Sequence, residues 1–154
     1  MAQPLSPLAP QPLSLRLWEM VRRWSVRLEA EFGHRDVTEE VARIVAESGV
    51  QQGIAVVSLT GSTGAVTTIE YEPGALADLR RALDVVAPAS SEYAHNARWG
   101  DGNGFSHVRS ALLKTSLAVP VVDGRLQLGT WQQVVVINLD NRPREREIVA
   151  VVVG

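Results

Sequence analysis

The sequence contains no cysteine, which removes disulfides, thiolate nucleophiles and cysteine-based zinc sites together. Aromatic residues make up only 5% and histidines number three. No apolar run approaches the ~20 residues of a membrane helix, so a membrane is not an expected partner. The net charge is −2, with arginines spread among acids rather than forming a basic stripe. That pattern argues against nucleic acid as a partner. The first thirteen residues carry no Lys or Arg and are broken by prolines, unlike a secretory signal. A cytoplasmic location fits these absences. Catalytic signatures are also missing: there is no HExxH, no GxSxG, and "GDGNG" lacks the preceding apolar strand and the Lys-Ser/Thr ending of a phosphate loop.

What is present suits one globular domain. The chain has 154 residues, 45% of them apolar. Residues 1–13 read as a disordered Pro-rich tail and residues 14–154 as a single domain. Leu17, Val21 and Trp24 stand at helical spacing and predict a short leading helix. "RRWSVRLEAEF" then alternates as a half-buried strand. Asp36 or Thr38 can cap a helix whose buried stripe is Val37, Val41, Ile44, Val45 and Ser48, ended by Gly49. "GIAVVSLT" and "AVTTIEY" predict two strands joined by "GSTG". Pro73 and Gly74 break the chain. Leu76, Leu79, Leu83 and Val86 mark a helix stopped by Pro88. A long loop over residues 89–104 leads into a helix with Val108, Leu112 and Leu113 on its apolar face. The remainder predicts strands: a hairpin turning at Asp123-Gly124, then "TWQQVVVINLD" paired with "EREIVAVVV" around "NRPR". Helices fall between groups of strands, which favours an α+β fold with a largely antiparallel sheet.

The densest chemistry lies in "YAHNARWGDGNGFSH". His95 and His107 are separated by a glycine-rich segment that can fold back, with Asp101 and Asn103 between them. Two imidazoles and a carboxylate can bind a divalent metal such as zinc, or act as acid and base near neutral pH. Asn103 or Ser106 can cap the next helix, whose exposed N–H groups would favour an anion. The plainer alternative makes His107 a first-turn residue and the glycines servants of the turn. His34 reads as a loop histidine. In "LGTWQ", Gly129 suggests a bulge, and Trp131 and Gln132 would point to opposite faces of a strand, as core or as pocket wall. Glu70, at a strand end, is either a solvated terminus or a ligand. Arg142, Arg144 and Arg146 form a small basic cluster, solvated or holding a phosphate.

"DVTEEVARIVAESGVQQGIAVVSL", "HNARWGDGNGFSHVRSALL", "VPVVDGRLQLGTWQQVVV" and the Arg-rich closing strand together resemble the YjbQ-like family, to which a secondary thiamine-phosphate synthase activity is often ascribed. The resemblance runs from about Trp24 to Gly154. It implies an α+β fold whose mixed, largely antiparallel sheet curves into a half-barrel with helices packed on it. It also implies a homotrimer with polar pockets where subunits meet, each taking a small phosphorylated or anionic metabolite. On this reading His107 and His95 do acid–base or metal work, with Asp101 as a further metal ligand. Asn103, Gln132, Trp131 and Glu70 contact substrate, and Arg144 or Arg146 meets phosphate. The match is uneven. Ser62, Thr63, Glu70 and Asp140 agree with the family pattern. Gly61 stands where a histidine is expected, Ile69 where an asparagine is, and Asn138 where an acid is. A diverged binding or structural trimer without turnover is the alternative. In either case the histidine loop and the Trp131 strand should converge on one cavity, between protomers.

Overall fold

A computed structural model describes residues 19–154. The expected tail over residues 1–13 lies outside the described residues. The chain forms β1 (Glu19–Leu28), β2 (Gly33–Asp36), α1 (Thr38–Ser48), β3 (Gln52–Leu59) and β4 (Gly64–Ile69). These are followed by α2 (Pro73–Val86), α3 (Ala94–Trp99), α4 (Gly104–Leu113), β5 (Ser116–Val122), β6 (Arg125–Leu126), β7 (Gln133–Asn138) and β8 (Arg144–Val153). Two sheets result, ordered β1-β8-β3-β5-β6 and β2-β7-β4, and every described ladder is antiparallel. The antiparallel sheet curls into a half-barrel carrying four helices, the α+β architecture expected from the sequence.

Apolar patterning explains the layers. β8 alternates, with Ile148, Ala150 and Val152 buried and the residues between them half-exposed. β7 does not alternate: Val134 and Val136 join Val26, Val57, Val66 and α1's Val41 between the sheets. Val135 and Ile137 join Leu76 and Leu83 of α2 on the opposite face. A strand covered on both faces reads as a continuous apolar run.

That double cover corrects one expectation. β7 and β8 do not pair as a hairpin; each is central in a different sheet, and residues 139–143 cross between them. The Asp123-Gly124 hairpin does form, with φ of 51° and 71° as a primed turn requires. The expected leading helix is also absent over residues 19–24, which belong to β1 and pair with β8. Tertiary pairing has overridden the local helical spacing.

The helices differ in detail as well. α1 keeps its predicted stripe and ends at Gly49 in a left-handed conformation. Asp36 accepts the Thr38 N–H just ahead of it. α2 begins at Pro73 rather than after it, because the Glu72 carboxylate accepts from Gly74 N and Ala75 N (2.8 and 2.9 Å) and Pro tolerates the first turn. Val86 is exposed. The loop over 89–104 contains α3. The buried face of α4 is not Val108 and Leu112, which are 40% and 53% exposed, but Phe105, Ser106, Arg109 and Ser110. Those polar groups are mostly satisfied. Ser110 Oγ donates to Gly64 O (2.6 Å), and Arg109 lies over the Phe105 ring while donating to Ala87 O and Asp84.

Candidate functional site

Two short helices position the histidines. α3 and α4 pack so closely that a side chain at Gly104 would collide with Tyr93. Between them Gly100 and Gly102 adopt φ of +70°, which brings the chain back on itself. His95 in α3 and His107 in α4 are thereby stacked, with ring centroids 4.4 Å apart and planes tilted by 38°. Asp101 Oδ1 stands 3.2 Å from His95 Nδ1, which has no aligned hydrogen bond among the described residues. With its amide turned to satisfy both groups, Asn103 donates to Asp101 Oδ1 and Oδ2 at 3.1 and 3.2 Å. The four residues His95, Asp101, Asn103 and His107 therefore form one cluster.

Neither Asn103 nor Ser106 supplies the cap expected for α4. Asn96 does, its Oδ1 accepting from Gly104 N at 2.8 Å. Asn96 was not distinguishable in the sequence because the bond closes across the glycine loop. Ser106 Oγ is buried without a partner among the described residues.

His107 opens onto a cleft of about 450 Å³, also lined by Gly61, Ser62, Ser110 and Lys114. Lys114 is the chain's single lysine, and it forms no ion pair among the described residues. Sequence reasoning missed it, although its uniqueness was a readable signal. Behind Gly61 stands Arg146, buried. Its Nη2 donates to Thr63 O, Thr63 Oγ1 and Asn138 Oδ1 at 2.9, 2.7 and 2.6 Å. Its Nη1 takes no hydrogen bond among the described residues and lies 2.9 Å from where a Gly61 Cβ would be. One N–H face of a fixed guanidinium thus lies directly behind Gly61, although Arg146 itself does not line the cleft.

Asp140 lies beside Arg146 in the same buried polar network. It accepts from Thr63 Oγ1 (2.9 Å) and from Arg144 (3.0 Å), and Arg146 Nη2 is 4.0 Å away. Burial alone would raise its pKa, but the Thr63 hydroxyl and the Arg144 and Arg146 charges outweigh it and hold the carboxyl below its usual range. Asn138 fits where an acid was expected: its amide donates to Glu29 O and Arg142 O, both at 2.8 Å, which a carboxylate could not do.

The remaining candidates lie elsewhere. Trp131 and Gln132 sit in a turn, not on a strand, and Trp131 is 71% exposed. Gln132 donates to Thr68 Oγ1 and accepts from Gly129 N, both at 3.0 Å. Glu70 and Trp131 line a separate acidic cleft with Asp36 and Glu72. Thr68 is four residues along β4 from Gly64, about 13 Å at the usual strand rise. Within one protomer the histidine cluster and the Trp131 turn therefore occupy opposite ends of β4 and do not converge. Among the described residues no helix is long and apolar enough to cross a membrane.

Comparison with known proteins places these features in a group. A family model described as "UPF0047 protein YjbQ-like" matches residues 22–154. A UPF0047 protein of Methanothermobacter thermautotrophicus is 39% identical over 119 residues, 77% of this chain and 81% of that protein. A second, of Archaeoglobus fulgidus, is 32% identical over 114 residues, 74% of this chain and 86% of its own. A crystal structure of a YbjQ-like protein of unknown function from Sulfolobus solfataricus superimposes with a TM-score of 0.85 at 28% identity, covering 90% of this chain and 99% of the other. A hypothetical protein from Aeropyrum pernix gives 0.80 at 29%, covering 88% and 98%.

Proposed function

The chain belongs to the UPF0047 (YjbQ-like) family, and we propose that it binds a small phosphorylated or otherwise anionic metabolite in the Gly61–His107 cleft. The observation that carries this reading is the uncommitted Lys114 sharing one cleft with Ser62 and His107, with the free Arg146 Nη1 lying behind the cleft's Gly61. A guanidinium held by its other nitrogens is pre-organised for an anion's oxygens. Ser62 adds a hydroxyl, and His107 an imidazole able to transfer a proton. A divalent metal such as zinc would draw on His95, His107 and Asp101, of which the pair His95 and Asp101 stands at ligand spacing. Two ligands of one ~2 Å tetrahedral ion stand about 3.3 Å apart, close to the 3.2 Å between His95 Nδ1 and Asp101 Oδ1. Such an ion would supply Lewis acidity beside the anion.

The reading extends to a homotrimer. A cyclic trimer has head-to-tail interfaces, so each protomer presents one face to the opposite face of the next. The histidine end of β4 and the exposed Trp131 end suit that arrangement, and the substrate-contacting roles of Gln132, Trp131 and Glu70 belong to it. A thiamine-phosphate-synthase-like transfer is the catalytic form, with His107 as general acid toward a phosphorylated leaving group. A binding trimer without turnover is favoured by Gly61, since its φ of +139° and the nearby Arg146 leave no easy place for a third imidazole.

Calorimetric titration with inorganic phosphate and pyrophosphate tests the binding. Lys114→Gln and His107→Ala should each weaken pyrophosphate by about tenfold. Equal affinity in all three proteins would refute the site. Turnover in the unaltered protein would decide for the catalytic form, and binding without turnover for the other.

A further inference from the structure

We propose that the cleft between β2 and α2 is a second ligand site, for a small molecule with a flat apolar ring and one carboxylate. It measures about 440 Å³, within the range of small-molecule sites, and shares no lining residue with the Gly61–His107 cleft. Phe32, His34 and Tyr71 form one wall, and Leu76, Ala77 and Arg80 form the other along one face of α2.

The aromatic wall is ordered by edge-to-face contacts. Phe32 and His34 centroids are 5.7 Å apart at 69°, and those of His34 and Tyr71 are 5.4 Å apart at 80°. Such rings accept a further flat ring by the same geometry. His34 Nδ1 and the Tyr71 hydroxyl lie 3.1 Å apart. Partial burial lowers the His34 pKa and so favours the neutral imidazole. In the tautomer in which Nδ1 accepts from Tyr71, the ring proton is on Nε2, which has no hydrogen bond among the described residues and is then a donor.

The opposite rim supplies charge. Arg80 is exposed and forms no ion pair among the described residues, whereas its neighbour Arg81 is bound to Asp78. The acids nearest Arg80 in sequence, Asp78 and Asp84, pair with Arg81 and Arg109, and Glu72 is committed to the N-terminus of α2. A free guanidinium fork facing an apolar aromatic wall matches a ring carboxylate. The backbone supports a built site. Glu31 and Phe32 are consecutive non-glycine residues at φ +52° and +92°, anchored by bonds to Asp140 O and Asn138 O. Strain of this kind persists only where surroundings enforce it, and it concentrates at ligand sites.

Ligand-observed NMR with benzoate provides the test, with benzamide as the uncharged isostere and acetate as the ringless acid. Benzoate should bind saturably, and benzamide and acetate at least about tenfold more weakly. Arg80→Gln, at an exposed helix position, should lower benzoate affinity by a similar factor. Ala77→Phe should fill the cleft and abolish binding while circular dichroism shows the fold intact. Inorganic phosphate should not displace benzoate. The proposal fails if benzoate shows no saturable binding below about 10 mM. It also fails if benzamide binds equally, if both variants bind like the parent, or if phosphate competes.

Discussion

Replacing Gly61 with alanine probes the packing behind a lining residue of the proposed anion cleft. Gly61 has φ of +139°, where a residue with a Cβ carries about 1–3 kcal/mol of strain. The new Cβ would also stand 2.9 Å from Arg146 Nη1. A side-chain end normally moves aside cheaply, but this one is buried and tied through Nε and Nη2 to Thr63 and Asn138. Moving it loosens a charge-assisted bond, about 1.5 kcal/mol. Fewer unfolded conformations offset roughly 0.4–1 kcal/mol. The net loss is about 2–4 kcal/mol, a fall in Tm of roughly 6–12 °C for a domain of this size. Urea and thermal denaturation measure it. Gly49→Ala is the control, since Gly49 has φ of +71° and nothing within 4 Å of its would-be Cβ. That variant should lose only the strain less the same unfolded-state offset, about 1 kcal/mol net. If Gly61→Ala is within about 0.5 kcal/mol of the parent, or no worse than Gly49→Ala, the packing behind Gly61 does not exist as described. The same reasoning means that Gly61→His, the substitution restoring the family pattern, must be checked for folding before any gain or lack of activity is interpreted.

Asp140→Asn should destabilise by about 3 kcal/mol, because it leaves Arg146 buried without its carboxylate. The pH dependence has a definite sign. Asp140's folded pKa is depressed, so its stabilisation is complete above the unfolded value near 4 and is lost as pH falls through the folded one. Urea midpoints between pH 7 and pH 2 should therefore fall more steeply for the parent than for Asp140→Asn, and parallel curves would contradict the assignment. Ser110→Ala removes a buried 2.6 Å bond to Gly64 O and should cost about 1–2 kcal/mol in the same assay; no loss would mean Gly64 O finds another donor. Trp131→Ala should leave the protomer's circular dichroism unchanged, since the residue is 71% exposed, while sedimentation shows the proposed trimer dissociating. An unchanged sedimentation coefficient would remove Trp131 from the proposed interface.

Some of this was readable and some was not, for physical reasons. Helix α1 follows its spacing because a single apolar stripe meets a single core. The Asp123-Gly124 hairpin follows from two residues suited to positive φ. The partner of β7 was unreadable because a strand apolar on both faces carries no alternation to fix which sheet it joins. α4 misled because its buried face is polar. Ser110 and Arg109 are inside by virtue of bonds to Gly64 O, Ala87 O and Asp84, residues 22 to 46 positions away, which no local pattern reveals. The proximity of His95 and His107 was legible from the glycines between them. The position of Arg146 behind Gly61 was not, since it depends on the register of β8 and on the crossing from β7.

That crossing gives the site its rigidity. Residues 139–143 leave one sheet for the other, and the chain places Asp140 at the transfer point, bonded to Thr63 ahead of β4 and to Arg144 of β8. Arg146 then spans back to Thr63 and Asn138. The side chains that join the two sheets thus stand behind Gly61, a lining residue of the proposed anion cleft. Ligand binding and sheet-to-sheet attachment should consequently be coupled. A ligand that binds only the folded state at 100 times its Kd adds about 2.7 kcal/mol. Pyrophosphate should therefore raise the unfolding midpoint of the parent about twice as far as that of Lys114→Gln at the same concentration, since tenfold weaker binding leaves about 1.4 kcal/mol, although Lys114 lies outside the junction. If both midpoints rise equally, the ion acts generally on the protein surface and the junction is purely structural.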